Sequence, residues 1–258
     1  MATAQPKSAA FFDLDRTLMS GSSGFFWARA AARAGMISRR RLALDAWENV
    51  KFRLRGSTDA STDRVMHRVG AMLEGRRALE FQRLGPQVLA GVLPRLYPQM
   101  LEIAWDHQDA GRPVYIVTAA TQDMASMIAH VLGFDGGIGT PLETDAEGLY
   151  TGRLSGPFAY REGKPTVMRA LAEREGIDLS ESYAYSDSES DLPMLRAVGH
   201  AVAVNPDGPL LRIAREESWD VLRFDRLGGR LKMLGGLAGA TLLGAAGATA
   251  RRRVGRSR

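Results

Sequence analysis

Two aspartates at the end of a hydrophobic run are the residues of this chain best placed to do chemistry. They are Asp13 and Asp15 in Phe11-Phe12-Asp13-Leu14-Asp15-Arg16-Thr17-Leu18. A strand alternates its side chains with period two, so both leave on the same side. Crowded carboxylates repel, and one takes up a proton unless a cation sits between them. Mg²⁺ suits that position, because it is a hard cation usually held by one or two carboxylates. One carboxylate is then free to act as a nucleophile and the other as an acid/base. A solvated acidic turn would carry the same letters, so the context has to decide.

Three other stretches supply that context. Thr118, followed by Ala119 and Ala120, closes the apolar run Val114–Val117. A hydroxyl with free backbone N–H groups at a helix start makes an anion site, although Thr118 alone reads more simply as an N-cap. Lys164, in Glu162-Gly163-Lys164-Pro165, stands at a helix start, where its charge opposes the helix dipole and a bound phosphate would compensate. The bland alternative is an exposed lysine. Tyr185-Ser186-Asp187-Ser188-Glu189-Ser190-Asp191 is a dense polar loop after an apolar strand. Asp187 and Asp191, four apart, can both point back at a metal and at Lys164; otherwise the loop is a solvated turn capping the next helix.

The elements that must bring these residues together follow from periodicity. After the small polar stretch Ser20–Gly24, helix-period apolar spacing covers Phe25–Ala34, Ser38–Leu54, Thr58–Leu73 and Arg77–Asp109, the last broken near Gly85-Pro86 and Pro94. Ser38 and Ser57 or Thr58 are expected N-caps, and Gly35, Gly56 and Gly75 expected stops. Beyond Gly111 the chain alternates strand and helix. Strands are expected at 114–118, 138–140, 182–186, 201–204 and 221–224, helices at 122–132, 165–175, 192–198 and 209–217, and a hairpin turns at Ala146-Glu147-Gly148. Such alternation predicts an α/β fold with a parallel sheet covered on both faces, where ligands bind off the carboxyl ends of the strands. The expected division is a discontinuous core of residues 1–19 and 110–226, an all-α insert over 20–109, and a tail over 227–258.

Composition narrows the function. The 258 residues include no cysteine, which excludes disulfides, thiolate catalysis and Cys-type zinc sites. The four histidines lack ligand spacing and are expected at or near the surface. The net charge of +5 is uneven: residues 20–109 carry +5, residues 110–250 carry −5 and residues 251–258 carry +5. A basic segment facing an acidic site suits an anionic substrate brought in with a metal. No aromatic-interleaved basic patch is present, so no nucleic-acid partner is expected. Residues 1–10 hold one lysine and no long apolar run, unlike a signal peptide, so a cytoplasmic location is expected.

Taken together, D-L-D-R-T-L, V-T-A-A, E-G-K and S-D-S-E-S-D-L-P-M-L, in that order and spacing, resemble the haloacid dehalogenase superfamily. The helical insert resembles its subclass IB, the phosphoserine phosphatase-like hydrolases. The resemblance covers roughly residues 9–225 and extends to the run Ala201-Val202-Ala203-Val204-Asn205-Pro206-Asp207. It implies a Rossmann-like three-layer core with an inserted all-α C1 cap, and Mg²⁺-dependent hydrolysis of a small phosphorylated metabolite through an aspartyl phosphate. By that resemblance Asp13 is the nucleophile and Asp15 the acid/base. Mg²⁺ is held by the carboxylates of Asp13 and Asp187 and the backbone carbonyl of Asp15. Thr118, Ala119 and Lys164 hold the phosphoryl oxygens, with Thr17 and Asp191 in support. Three departures stand out. Phosphoserine phosphatases carry a cap glutamate near the first motif, whereas Ser20–Gly24 holds no acid, which argues against phosphoserine as the substrate. Ser186 replaces the usual glycine of the fourth motif, and Arg16 replaces a small or polar residue of the first. Phe52, Arg53 and Arg55 are candidate specificity residues. A regulatory protein on the same fold, and a phosphotransferase to an alcohol, are the alternative functions.

The tail is different in kind. Met233–Ala250 is an uncharged run of 18 residues with five glycines and six alanines, followed by an arginine cluster. It reaches the minimum length of a membrane span, but only four leucines drive insertion, and the arginines would lie on the wrong side. A helix lying on an anionic membrane or a partner-binding tail is expected ahead of a span.

Overall fold

In the computed structural model, residues 7–36 and 70–224 are described. The helices expected over 38–54 and most of 58–73, their caps at Ser38 and Ser57 or Thr58, the stop at Gly56, Phe52, Arg53, Arg55 and the tail from 227 lie outside them. The chain divides into two compact units, Met1–Val221 and Leu222–Arg258, and the site belongs to the first.

Strand β1 (Ala10–Phe12) is wholly buried, as a continuous apolar run in a parallel sheet should be. It pairs in parallel with β2 (Val114–Thr121) on one side and β6 (Tyr183–Ser186) on the other. With β3 (Gly136–Thr140), β7 (His200–Val204) and β8 (Asp220–Leu222) the order is β3-β2-β1-β6-β7-β8. The chain therefore works outward from β1 in one direction and then, from β6, in the other. That reversal opens a crevice at the carboxyl ends of β1 and β6. Between β4 (Leu142–Thr144) and β5 (Tyr150–Leu154) the expected hairpin forms a separate antiparallel pair, turning through Gly148 at φ +75°.

Period two divides the sheet's side chains between its faces. Phe11, Val117, Ala184 and Ala203 meet Met168 and Leu171 of helix α6 (Gly163–Glu175), Met194 and Leu195 of α7 (Leu192–Leu195) and Leu210 of α8 (Gly208–Glu216). Each buried Phe, Val, Met or Leu among them contributes roughly 1.5–3 kcal/mol. Phe12 and Tyr185 face the other way and stack with ring centroids 4.4 Å apart. The architecture is the expected Rossmann-like α/β core with a helical cap inserted between β1 and β2.

In the cap, α1 (Ser23–Arg33) leads, and α2 (Ala78–Gln82) and α3 (Gly85–Val92) follow the undescribed stretch. Trp27 stacks on Phe81 at 5.2 Å. Phe26 sits so close to Gly91 that a Cβ there would lie 2.5 Å from its ring, which is why α1 and α3 can touch. α4 (Pro98–Asp109), within the stretch assigned to the insert, instead packs on the sheet through His107. His107 itself departs from expectation. It is 4% exposed, hydrogen-bonded from Nε2 to the Tyr185 hydroxyl at 2.8 Å, and accepts at Nδ1 from Arg112 Nε at 2.7 Å.

Candidate active site

Adjacent strands deliver the site residues at one level. Phe12 is in register with Ile116 and Tyr185, so Asp13 stands one step beyond the paired residues of β1 and just ahead of Thr118 and Asp187 on its neighbours. The Asp13 N–H donates to the Tyr185 carbonyl at 2.9 Å, which fixes where β1 ends. Asp13, Thr118, Lys164, Asp187 and Asp191 are all buried, each 7% exposed or less. Charged groups are seldom buried to this degree unless they are paired.

The pairing is specific. Lys164 Nζ donates to Asp13 Oδ1 at 2.6 Å and to Asp191 Oδ2 at 2.7 Å. Ser186 Oγ donates to the same Asp191 oxygen at 2.7 Å. The lysine, which could have been an exposed residue, is 1% exposed. It gets there because Gly163 hugs the preceding turn: a Cβ on Gly163 would lie 1.7 Å from the Phe158 carbonyl oxygen. Arg16 binds Asp187 through Nε at 2.6 Å and through a terminal nitrogen, both on Oδ2.

Asp15 takes a different course. Its carboxylate turns to the start of α1, accepting from Ser22 Oγ at 2.9 Å and from the Ser23 N–H at 2.7 Å. A carboxylate there meets the positive end of the helix dipole. Asp15 therefore has its main chain in the loop with Asp13 and its side chain committed to the cap.

Electrostatics follow from burial. Burial lifts the Asp13 carboxyl well above the usual range; Lys164 opposes this, and Asp191 and Asp187 add to it. Burial pushes Asp187 up to about 6, with Arg16 pulling it back and Asp191 and Asp207 pushing it further. Burial disfavours the charge of Lys164, but Asp13 and Asp191 outweigh it, so Lys164 is held firmly as an ammonium. Among the described residues, three buried carboxylates face two cations, a local deficit of positive charge. The donors are all oxygen, which suits a hard cation. Among the described residues no three His, Asp or Glu side chains converge on one point, so a metal here would rest on two carboxylates and main-chain oxygen.

A model of the haloacid dehalogenase-like hydrolases matches residues 10–196. The chain belongs to that family. It is 37% identical over 244 residues, 93% of this chain and 78% of the relative, to phosphoserine phosphatase SerB1 of Mycobacterium tuberculosis. It is 32% identical over 226 residues, 84% of this chain and 99% of the relative, to a histidinol-phosphatase of Neisseria meningitidis. The solved structure of a protein with unknown function from Bordetella pertussis is similar at a TM-score of 0.74 and 30% identity, covering 84% of this chain and 99% of that one. This haloacid dehalogenase-like hydrolase is a phosphoric monoester hydrolase.

Against the sequence expectations, two residues of the hydrolase differ in detail. Thr118 does not end its strand: β2 runs on to Thr121, which caps α5 (Gln122–Leu132). The Ala120 N–H is not free but donates to Thr118 Oγ1 at 3.2 Å, and the Ala119 carbonyl accepts from Thr140 Oγ1 at 3.0 Å. Thr17 is fully buried, and its hydroxyl has no hydrogen-bond partner among the described residues. Sequence reasoning missed Asp207. Its N–H donates to the Asp187 carbonyl at 2.9 Å, its side chain accepts from Glu189 N–H at 3.3 Å, and it caps α8 through Leu210 N–H at 2.9 Å. The signal was present in Asp207-Gly208-Pro209, an N-cap followed by an early proline. A groove of about 180 Å³ between α1 and α3 was also unforeseen; Phe26, Arg29, Arg33, Gln87 and Arg95 line it, and among the described residues no acid does.

Proposed function

We propose that this hydrolase cleaves small phosphate monoesters through a phosphoryl group carried on Asp13. The observation that supports this best is the division of labour between the two aspartates. Asp13 is buried and held at one oxygen by Lys164, while Asp15, two residues on in the same loop, is tethered to the start of α1. Asp13 attacks phosphorus as the bond to the leaving oxygen breaks, and Asp15 gives that oxygen its proton. Asp15 then takes a proton from the water that attacks the aspartyl phosphate, which returns Asp13 and releases inorganic phosphate. Lys164, the Thr118 hydroxyl and the Ala119 backbone hold the phosphoryl oxygens and offset their charge. Asp191 fixes Lys164, and Thr17 packs beneath the Asp15 loop.

The carboxylates of Asp13 and Asp187 and the carbonyl of Asp15 would hold Mg²⁺. When bound, the ion supplies charge that the buried carboxylates lack and screens the phosphoryl group from them. The donor set fits because it is oxygen-only and short of positive charge.

The substrate is a small phosphorylated metabolite. The relatives' names make O-phosphoserine and histidinol phosphate the first compounds to assay. Ser22, in the stretch without an acid, is engaged with Asp15, so an amine on the substrate would find no carboxylate in that stretch. Hydrolysis of p-nitrophenyl phosphate with Mg²⁺, set against Asp13→Asn, is the test. Equal rates for the two proteins would end the proposal; a rate lost only in the variant, with phosphate released stoichiometrically, supports it.

A further inference from the structure

Arg16 stands in a motif position where a small or polar residue would do. It adopts φ +66°, in the left-handed region, which is strained for a residue with a Cβ. Its side chain, 43% exposed, is nevertheless ordered onto Asp187, whose own side chain is 5% exposed. Two of its nitrogens address one oxygen, Asp187 Oδ2. Asp207 and Asp13 add to the attraction. Strain and ordering are thus both accepted for one ion pair, on the carboxylate assigned above to the metal.

We propose that Arg16 is a resident counter-cation: it neutralises Asp187 while the site holds no metal, and gives way when Mg²⁺ is taken up. The inference rests on the assignment of Asp187 as a metal ligand. A guanidinium and a divalent ion on one carboxylate would repel strongly across a few ångströms of low-dielectric interior. Of the partners, only Arg16 can leave. Asp187 is fixed through its carbonyl by the Asp207 N–H at 2.9 Å, and Lys164 is buried between two acids. Arg16 reaches in from the surface and can return to water without emptying a packed core. The consequence is a weakened grip on metal and a metal-free site that stays folded.

The test is calorimetric titration of the full chain with Mg²⁺, beside thermal unfolding in EDTA. Arg16→Asn removes the charge while tolerating left-handed backbone; Arg16→Lys keeps a charge without the fork. Arg16→Asn should bind Mg²⁺ at least about tenfold more tightly than wild type, with Arg16→Lys in between. It should also melt lower than wild type in EDTA, with the gap closing in saturating Mg²⁺. An Arg16→Asn chain that folds only with Mg²⁺ supports the inference equally. If it folds in neither condition, Arg16→Lys decides, and an Mg²⁺ affinity equal to wild type overturns the inference. Equal or weaker binding by Arg16→Asn also overturns it. Wild type that takes up no Mg²⁺ removes the metal assignment itself, a result distinct from the other two.

Discussion

Asp191 lies 2.7 Å from the ammonium of Lys164 and so holds the same group that reaches Asp13. The pair bridges the fourth-motif loop and the start of α6, with Ser186 Oγ bracing Asp191 from behind at 2.7 Å. Lys164 is therefore held between two carboxylates, the proposed nucleophile Asp13 and the positioning residue Asp191.

Removing either end of this pair has unequal effects on stability. Lys164→Met leaves Asp13, Asp187 and Asp191 buried with only Arg16 to balance them, and an uncompensated buried charge typically costs about 3–5 kcal/mol. Asp191→Asn takes away one of three mutually repelling carboxylates, so it costs less than the lysine variant. Both lower kcat, since the lysine is lost or loosened. Urea unfolding in EDTA at neutral pH measures the two. A larger loss for Asp191→Asn than for Lys164→Met contradicts this account.

The tether of Asp15 gives a second expectation. Asparagine can still accept the Ser23 N–H and meet Ser22 Oγ, so Asp15→Asn keeps the fold. It cannot exchange a proton, and positioned acid–base catalysis is worth about 10²–10⁴ in rate. The loss of kcat/KM, which reports on the first phosphoryl transfer alone, should be larger for an alkyl phosphate than for p-nitrophenyl phosphate, whose leaving group needs a proton less. Steady-state rates with both substrates provide the comparison; equal losses would remove Asp15 from the role of acid.

The sheet was legible because its strands are short apolar runs closed by breakers and alternate with helical stretches. Asp13, Asp15, Lys164, Asp187 and Asp191 were legible by type and order. Their pairing was not: that Arg16 takes Asp187 while Lys164 takes Asp191 depends on which side chains the parallel register brings level. Thr118 was placed at a helix start because its strand runs on through small residues that carry no strand signal. His107 was read as a surface or partly buried residue because its partners, Tyr185 and Arg112, come from two other segments. The last helix of the insert stretch has the same amphipathic pattern whether it packs on a bundle or on a sheet.

Metal uptake should depend on pH through Asp187, raised to about 6 by burial before the carboxylates around it and only partly restored by Arg16. Only ionised carboxylates ligate, and burial lifts Asp13 further still, to about 8, so Mg²⁺ affinity falls below about pH 8 and falls more steeply below about 6, where Asp187 adds its proton. The limit is about tenfold per pH unit for each competing proton. Calorimetric titration at pH 5, 6, 7 and 8 reads this directly, and an affinity flat from pH 8 to 5 contradicts it.

His107 makes stability itself depend on pH. Burial, then the neighbouring Arg112 charge, lowers it to about 4 in the folded protein from an ordinary value of 6.5. As pH falls through 6.5 the unfolded chain takes up a proton that the folded one refuses until about 4. The unfolded state then binds more protons, and stability drops across that window by up to about 3 kcal/mol. Asp187 works the opposite way over part of the same range, since its raised value lets the folded state bind the proton first. His107→Gln keeps an acceptor for Arg112 and a donor for the Tyr185 hydroxyl but cannot titrate, and it leaves Asp187 unchanged. The difference between the two proteins therefore isolates the histidine. Urea unfolding without metal at pH 7.5, 6 and 5 should show wild type losing ground to His107→Gln as the pH falls; curves that stay parallel would mean that the ring titrates alike in the folded and unfolded chains, and contradict this account.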